Sequence, residues 1–322
     1  MKIRDIAGHL SVSPATVSLA LKGDARVNTL TRERVTAYCR EVGYTPSFSA
    51  RNLSARRSFT LHLVCAHDEH DSPNRFLTDF LAGATEVASA HQYRVTLSFL
   101  RDGDFQALEP HLRDGSADAF MLLNPAEAGA YGLFEAAGAP LLVVGRYDSP
   151  WGERVDSDNV AVGRDIAAHL RAQGYHRPAL LGPLELTFTA DRFAGLNAGA
   201  TGAGLFDCRD MAGAMAACDR ALEDGHDSVV VTDDALLPGV LRALKRAGLT
   251  APEIGVVGMG NDLSPYLDPE VTSIDFDARR LGQVAATQQL RSIHVLPAPG
   301  PPLLTVVPHR LIPRRSTQRS PS

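Results

Sequence analysis

From Leu61 onward, short apolar runs alternate with longer amphipathic stretches, and that alternation restricts the body of the chain to a parallel α/β architecture. Strand-length runs fall at 61–66, 93–100, 119–123 and 140–145, and again at 179–182, 228–232 and 254–258. A helix is expected over 76–91, with Phe80, Ala84, Val87 and Ala88 on one side. At 322 residues the chain exceeds one ordinary core, and two doubly wound parallel sheets fit the length. A ligand is then expected in the cleft between them, outside the carboxyl ends of the strands.

The first 57 residues follow a different pattern. Ile3, Ile6, Ala7 and Leu10 mark one face of a short helix, and Ser11-Val12 reads as a turn. Ser13 is placed as an N-cap with Pro14 at the first helical position, where its missing N–H costs nothing. Val17, Ala20 and Leu21 stripe a second helix that ends at Gly23-Asp24. Asn28 caps a third, with Val35, Tyr38, Cys39 and Val42 inward and Gly43 as its C-terminal glycine. Three short helices with a tight first turn make the helix-turn-helix plan, although the same periodicity serves small bundles that dock proteins.

Charge is divided unevenly along the chain. Residues 1–60 carry ten Lys/Arg against four Asp/Glu, a net +6, which leaves −11 for the rest of a chain whose total is −5. A basic head on an acidic body is expected when only the head meets a polyanion. No apolar run reaches about 18 residues, so no membrane partner is expected. The N-terminal Lys2, Arg4 and Asp5 precede no apolar signal region. Cys39, Cys65, Cys208 and Cys218 form no CxxC pair and suit a reducing cytoplasm, the expected location. His67, Asp68, His70 and Asp71 cluster, but read as polar residues at the mouth of the cleft rather than metal ligands. Neither metal nor cofactor is expected. GxGxxG, GxxxxGK[ST] and GxSxG are missing, and the run Gly255-Val-Val-Gly-Met-Gly260 has the wrong spacing, so an enzyme is not expected.

The run Ile3-Arg-Asp-Ile-Ala-Gly-His-Leu-Ser-Val-Ser-Pro-Ala-Thr-Val-Ser-Leu-Ala-Leu-Lys-Gly23 resembles the LacI/GalR family headpiece, as do Val27-Asn-Thr-Leu-Thr-Arg-Glu-Arg-Val35 and Gly43-Tyr-Thr-Pro46. The body resembles that family's periplasmic-binding-protein-like sensor in Pro73-Asn-Arg-Phe76, Gly145-Arg146, Asp158-Asn159 with Gly163, Arg192-Phe-Ala-Gly195, Asp233-Asp234 with Gly239, Val271-Thr-Ser-Ile274, Leu281-Gly282 and Leu311-Ile-Pro-Arg-Arg-Ser316. The resemblance implies a headpiece over 1–48, and a hinge helix and linker over 49–60, the helix carried by 49–57. It implies an effector and dimerisation domain over 61–322, with one subdomain of 61–157 plus 277–300 and another of 158–273 plus 303–315. Three chain crossings are expected near 146–159, 272–277 and 300–303.

By the same resemblance, Pro14, Ala15 and Leu19 occupy base-reading positions, and Ser13, Thr16 and Ser18 lie near phosphates. Lys22, Arg26, Asn28, Thr31 and Tyr44 would clamp the backbone. Arg51 falls in the hinge, and Leu53 would wedge a base step in the minor groove. Leu19 stands where many members carry Arg, so a guanine is not read there. Implied effector contacts are Phe76, Asn124, Arg146, Asp158, Arg192, Asp233 and Phe276, with Arg192 offering a rigid fork to hydroxyls or anions. Gly145 and Gly260 replace acids common in the family. The expected whole is a homodimeric regulator, most simply a repressor, on a pseudo-palindromic double-stranded DNA operator, switched by a sugar or related metabolite. The alternatives are a non-sugar effector or a vestigial sensor acting architecturally. A transporter's solute-binding protein would lack the basic head and carry a secretion signal. The tail after Arg315 is short and polar, expected disordered, and without a heptad repeat to build a tetramer.

Overall fold

The computed structural model describes residues 2–21, 23–44, 57–65, 75–100, 104–123, 130–146, 153–297 and 304–319. The chain divides into two units, Met1–Ser58 and Phe59–Ser322.

The first unit holds α1 (Ile3–Leu10), α2 (Pro14–Leu21) and α3 (Thr29–Glu41). Ser11 takes a left-handed φ of 54° between α1 and α2, which makes the tight turn. Ser13 Oγ accepts the Thr16 N–H at 3.0 Å, and Asn28 Oδ1 accepts the Thr31 N–H at 2.8 Å, so two otherwise orphaned donors are satisfied at helix starts. Ile6, Ala7, Val17, Ala20, Val27, Val35 and Cys39 form the buried centre.

The second unit begins with β1 (Thr60–Cys65), α4 (Arg75–Ala90), β2 (Arg94–Phe99), α5 (Glu109–Arg113), β3 (Ala119–Leu123), α6 (Ala130–Ala137), β4 (Leu141–Val144) and β5 (Glu153–Asp156). It continues with α7 (Asn159–Ala172), β6 (Pro178–Gly182), α8 (Thr187–Gly199), β7 (Gly204–Asp207), α9 (Met211–Glu223), β8 (Ser228–Val231), α10 (Leu237–Arg246), β9 (Gly255–Met259) and β10 (Thr272–Asp275). It closes with α11 (Ala278–Ser292), β11 (Leu304–Val306) and β12 (Arg310–Ile312). The first sheet runs β11-β5-β4-β3-β1-β2 and the second β12-β10-β9-β8-β6-β7. Every pairing is parallel except β10 with β12. Central strands such as β1, β3, β6, β8 and β9 are buried along their whole length, as expected where helices cover both faces.

Helices meet at reciprocal glycines. A Cβ on Gly83 (α4) would fall 2.0 Å from Arg279 O, and one on Gly282 (α11) 2.0 Å from Phe80 O. A Cβ on Gly163 (α7) would fall 2.0 Å from Arg192 O, and one on Gly195 (α8) 2.0 Å from Val160 O. Each helix pair is therefore in backbone-to-backbone contact.

Two expectations are corrected. Residues 303–315 do not all lie with the second sheet, because Leu304–Val306 pairs in parallel with Arg154–Asp156 of β5. The third crossing accordingly spans 307–309 rather than 300–303, and the edge of the first sheet takes up the incoming segment before the chain crosses. The tail is not free after Arg315 either. Ser316 and Thr317 are fully buried, with Ser316 Oγ donating to Val256 O at 2.5 Å and Thr317 Oγ1 in contact with Thr272 Oγ1 at 2.6 Å. The Arg319 guanidinium lies 3.9 Å over the Tyr175 ring and donates to Gly174 O and Glu253 O. A polar tail is held here by hydrogen bonds and a cation–π contact, which hydropathy does not reveal.

Candidate functional site: a helix-turn-helix face and an interdomain cleft

In the head, Ser13, Pro14 and Ala15 are exposed at the N-terminus of α2, where backbone N–H groups and the helix dipole favour a phosphate. Thr16 and Ser18 are half-buried, and Ser13 and Thr16 share a hydroxyl hydrogen bond of 2.8 Å. Leu19 and Tyr44 are also half-buried, packed against the headpiece core. Arg26 forks onto Asp24, at 3.0 Å from Nε and 2.7 Å from Nη2, which holds the Asp24 carboxyl far below the usual range. Asn28 and Thr31 are engaged with each other at the start of α3. Lys22, Arg51 and Leu53 lie outside the described residues.

In the body, a cleft partly open to solvent lies between the two sheets. It is built from the carboxyl ends of strands on both sides: Val144-Gly145 after β4, Asp156-Ser157 after β5, Thr232-Asp233 after β8, Met259-Gly260 after β9 and Phe276 after β10. Gly145 and Gly260 take φ of 115° and 114°, a region closed to acidic side chains, so glycine here reflects backbone shape as well as a missing acceptor.

Arg192, on α8, is 8% exposed at the centre of this cleft. Its Nε donates to Asn159 Oδ1 at 2.9 Å and its Nη1 to Thr232 O at 3.1 Å. The guanidinium carbon lies 4.3 Å from the Phe188 ring centroid and 4.7 Å from that of Phe276, both cation–π contacts. Burial pushes the guanidinium down to about 10, against the pull of Asp156, Asp233 and Asp191. Asp233 caps the turn that follows β8 by accepting the Ala235 N–H at 2.8 Å, and burial raises its carboxyl. Phe76 lines the cleft from α4.

The remaining expected contacts sort differently. Arg146 Nη1 is paired with Asp191 Oδ1, and Thr187 Oγ1 donates to Arg146 O at 3.2 Å, so this segment ties the first sheet to α8. Asp158 is exposed and accepts the Ala161 N–H at 2.8 Å as the N-cap of α7, so its carboxylate serves the helix rather than the cleft. Asn124, His67, Asp68, His70 and Asp71 lie outside the described residues. Sequence reasoning missed Asp156, Ser157 and Phe188 as lining residues and named Asn159 only within the Asp158-Asn159 pair, whose carboxylate it placed two positions late; for Phe188 the signal was its place one turn before Arg192 on the same helix. It also missed Asp234, which is 1% exposed and accepts the N–H groups of Asp262, Leu263 and Ser264 at 2.8–3.0 Å, fixing the loop after β9.

Asp156 Oδ1 accepts the Ser157 N–H at 2.7 Å and Asn159 Nδ2 at 3.2 Å, while burial pushes the carboxyl up to about 6. Arg192 and Arg154 pull it down and Asp191 pushes it up. The folded protein thus holds this proton where the unfolded chain, at 3.8, releases it, so the contribution to stability is full below 3.8 and is lost as pH rises through about 6. Asp156→Asn is expected to melt above the wild type at pH 8, the gap narrowing toward pH 4. A gap of equal size at both pH values in differential scanning fluorimetry would contradict the assignment.

Residues 2–47 match the model of bacterial regulatory proteins, lacI family, and residues 167–317 match the periplasmic binding protein-like domain. The HTH-type transcriptional regulator AglR of Rhizobium meliloti (strain 1021) is 30% identical over 308 residues, covering 89% of this chain and 85% of that one. The chain belongs to the lacI family. Among solved structures, the lac repressor dimer bound to operator and the anti-inducer ONPF superposes with a TM-score of 0.82 at 23% identity, covering 99% of both chains. The transcriptional regulator CelR–cellobiose complex gives 0.72 at 24% identity, covering 98% of this chain and 99% of that one. This lacI-family chain is a DNA-binding transcriptional regulator with a helix-turn-helix head and a periplasmic-binding-protein-like body. Among the described residues, no helix is long and apolar enough to cross a membrane.

Proposed function

We propose that the protein is a cytoplasmic, non-catalytic repressor that binds a pseudo-palindromic operator as a homodimer and changes its operator affinity when a sugar occupies the cleft. The observation that carries this reading is where the cleft lies. Its lining residues Asp156, Ser157, Asn159 and Phe276 sit beside two of the three segments by which the chain passes between sheets. A ligand held there contacts both subdomains and the connections between them, so it favours one relative angle over others. AglR supports the regulatory role, the CelR complex holds cellobiose, and the lac repressor dimer holds an operator and an anti-inducer. Base reading is assigned to Pro14, Ala15 and Leu19, with Ser13, Thr16 and Ser18 on phosphates and Lys22, Arg26, Asn28, Thr31 and Tyr44 on the backbone. Arg51 and Leu53 serve the hinge. The cleft contacts are Phe76, Asn124, Arg192, Asp233 and Phe276, joined by Asp156 and Ser157.

Fluorescence anisotropy with labelled DNA from upstream of the protein's own gene tests this, with mono- and disaccharides titrated in. A shift of about 5- to 150-fold in operator affinity is expected from one of them, the usual range of allosteric coupling. Unchanged affinity across sugars that demonstrably bind would refute the switch.

A further inference from the structure

We propose that the cleft selects an uncharged, hydroxyl-rich ligand and excludes phosphorylated or carboxylated analogues, with Asp156, Asp233 and Ser157 as hydrogen-bond acceptors and Arg192 as their internal counter-ion. The proposal deepens, and rests on, the reading of this cleft as the effector site.

Arg192 is poorly placed to grip an anion. Two aromatic rings, Phe188 and Phe276, flank its guanidinium. A guanidinium grips an oxyanion through paired nitrogens along one edge. Each of its edges has one nitrogen already engaged, Nε by Asn159 and Nη1 by Thr232 O. The residue therefore supports the cleft wall and offsets neighbouring charge.

The acceptors remain. Asp156 Oδ1 and Asp233 Oδ1 take protein N–H groups, while no described donor bonds their second oxygens. Ser157 is 7% exposed, and its buried Oγ has no partner among the described residues. Two carboxylates against one guanidinium leave the lining at −1. Arg146 adds no free positive charge, since it is paired with Asp191. An incoming phosphate or carboxylate meets like charge in a partly desolvated site, whereas hydroxyl groups donate to the open oxygens. Phe76, Met259, Phe276 and Leu281 supply apolar surface for the C–H face of a sugar ring, and Gly145 and Gly260 line the cleft without side chains.

Isothermal titration of the full-length protein with matched probes tests the proposal: cellobiose, maltose, glucose and ribose against glucose 6-phosphate, gluconate and ribose 5-phosphate. At least one neutral sugar is expected to bind, with any charged counterpart at least about tenfold weaker. In Asp156→Asn/Asp233→Asn, affinity for that neutral sugar is expected to fall at least about tenfold and the discrimination between the pair to collapse. Asp233→Asn alone, which leaves Asp156 in place, is expected to give part of both effects. A charged probe binding as tightly as its neutral counterpart, binding by none of the neutral sugars, or full discrimination in the double variant would each overturn it. Operator anisotropy in the same solutions separates the two readings. A neutral sugar that binds selectively without changing operator affinity removes the switch and leaves the selectivity, and a charged ligand that changes operator affinity does the reverse.

Discussion

Arg192→Met is expected to abolish the response of operator binding to effector while leaving effector-free binding intact. Methionine keeps most of the aliphatic stem and removes the guanidinium that lies over Phe188 and Phe276, so the change acts mainly through charge and hydrogen bonding. It leaves Asp156 and Asp233 without their buried cation, and strands Asn159 Oδ1 and Thr232 O without their donor. Removing one partner of a buried charged set costs about 3–5 kcal/mol, reduced here to the extent that Asp156 and Asp233 take up protons. The body's thermal midpoint should fall, and ligand affinity should drop at least about tenfold, since about 1.4 kcal/mol lost from the preorganisation of the two carboxylates is one decade. Calorimetric titration reads the affinity and anisotropy the operator binding. A variant that binds and responds like the wild type would show that Arg192 is not the centre of the cleft.

Gly163→Ala is expected to damage the fold and the cleft together. The added methyl would lie 2.0 Å from Arg192 O and 2.6 Å from Leu196 N, both backbone atoms that cannot rotate away. The α7 and α8 helices must separate, and overpacking of this kind costs about 1–3 kcal/mol or more. Because the colliding carbonyl belongs to Arg192 itself, the shift displaces its guanidinium from Asn159 and Thr232. Loss of stability should thus come with loss of ligand binding. Gly132→Ala supplies the contrast. It lies in the first turn of α6, a Cβ there meets nothing within 4 Å, and alanine gains at most about 0.5–1 kcal/mol, the full difference in a helix interior. Chemical denaturation of both variants reads the difference in sign, and equal effects would refute the close-approach argument.

The head and the strand–helix alternation were legible because their signals are local. The Ser13 and Asn28 caps, the Ser11 turn and the apolar spacing of α1 to α3 each depend on residues within about four positions, the reach of a helical turn. β5 and β7 were not legible: Glu153–Asp156 and Gly204–Asp207 are four-residue segments, too short for alternation to show. Arg192 was singled out as a fork for the ligand; the structure places it in the cleft wall with Nε on Asn159 and Nη1 on Thr232, partners that sequence does not indicate. Asp158 was chosen where Asp156 faces the cleft, because sequence shows that a carboxylate precedes a helix and not which one the helix uses as its cap.

By itself, the sequence determined a basic three-helix head on a parallel α/β body, because periodicity, caps and charge are properties of neighbouring residues. Only the tertiary structure decided which groups face the cleft. Three crossings bring Asp156, Arg192, Thr232 and Phe276 to the carboxyl ends of two sheets. Burial then fixes Arg192 against the rings of Phe188 and Phe276 and on Asn159 and Thr232, and pairs Arg146 with an aspartate 45 residues away. The free acceptors are what remains after those long-range partners are matched, and no local pattern encodes that remainder.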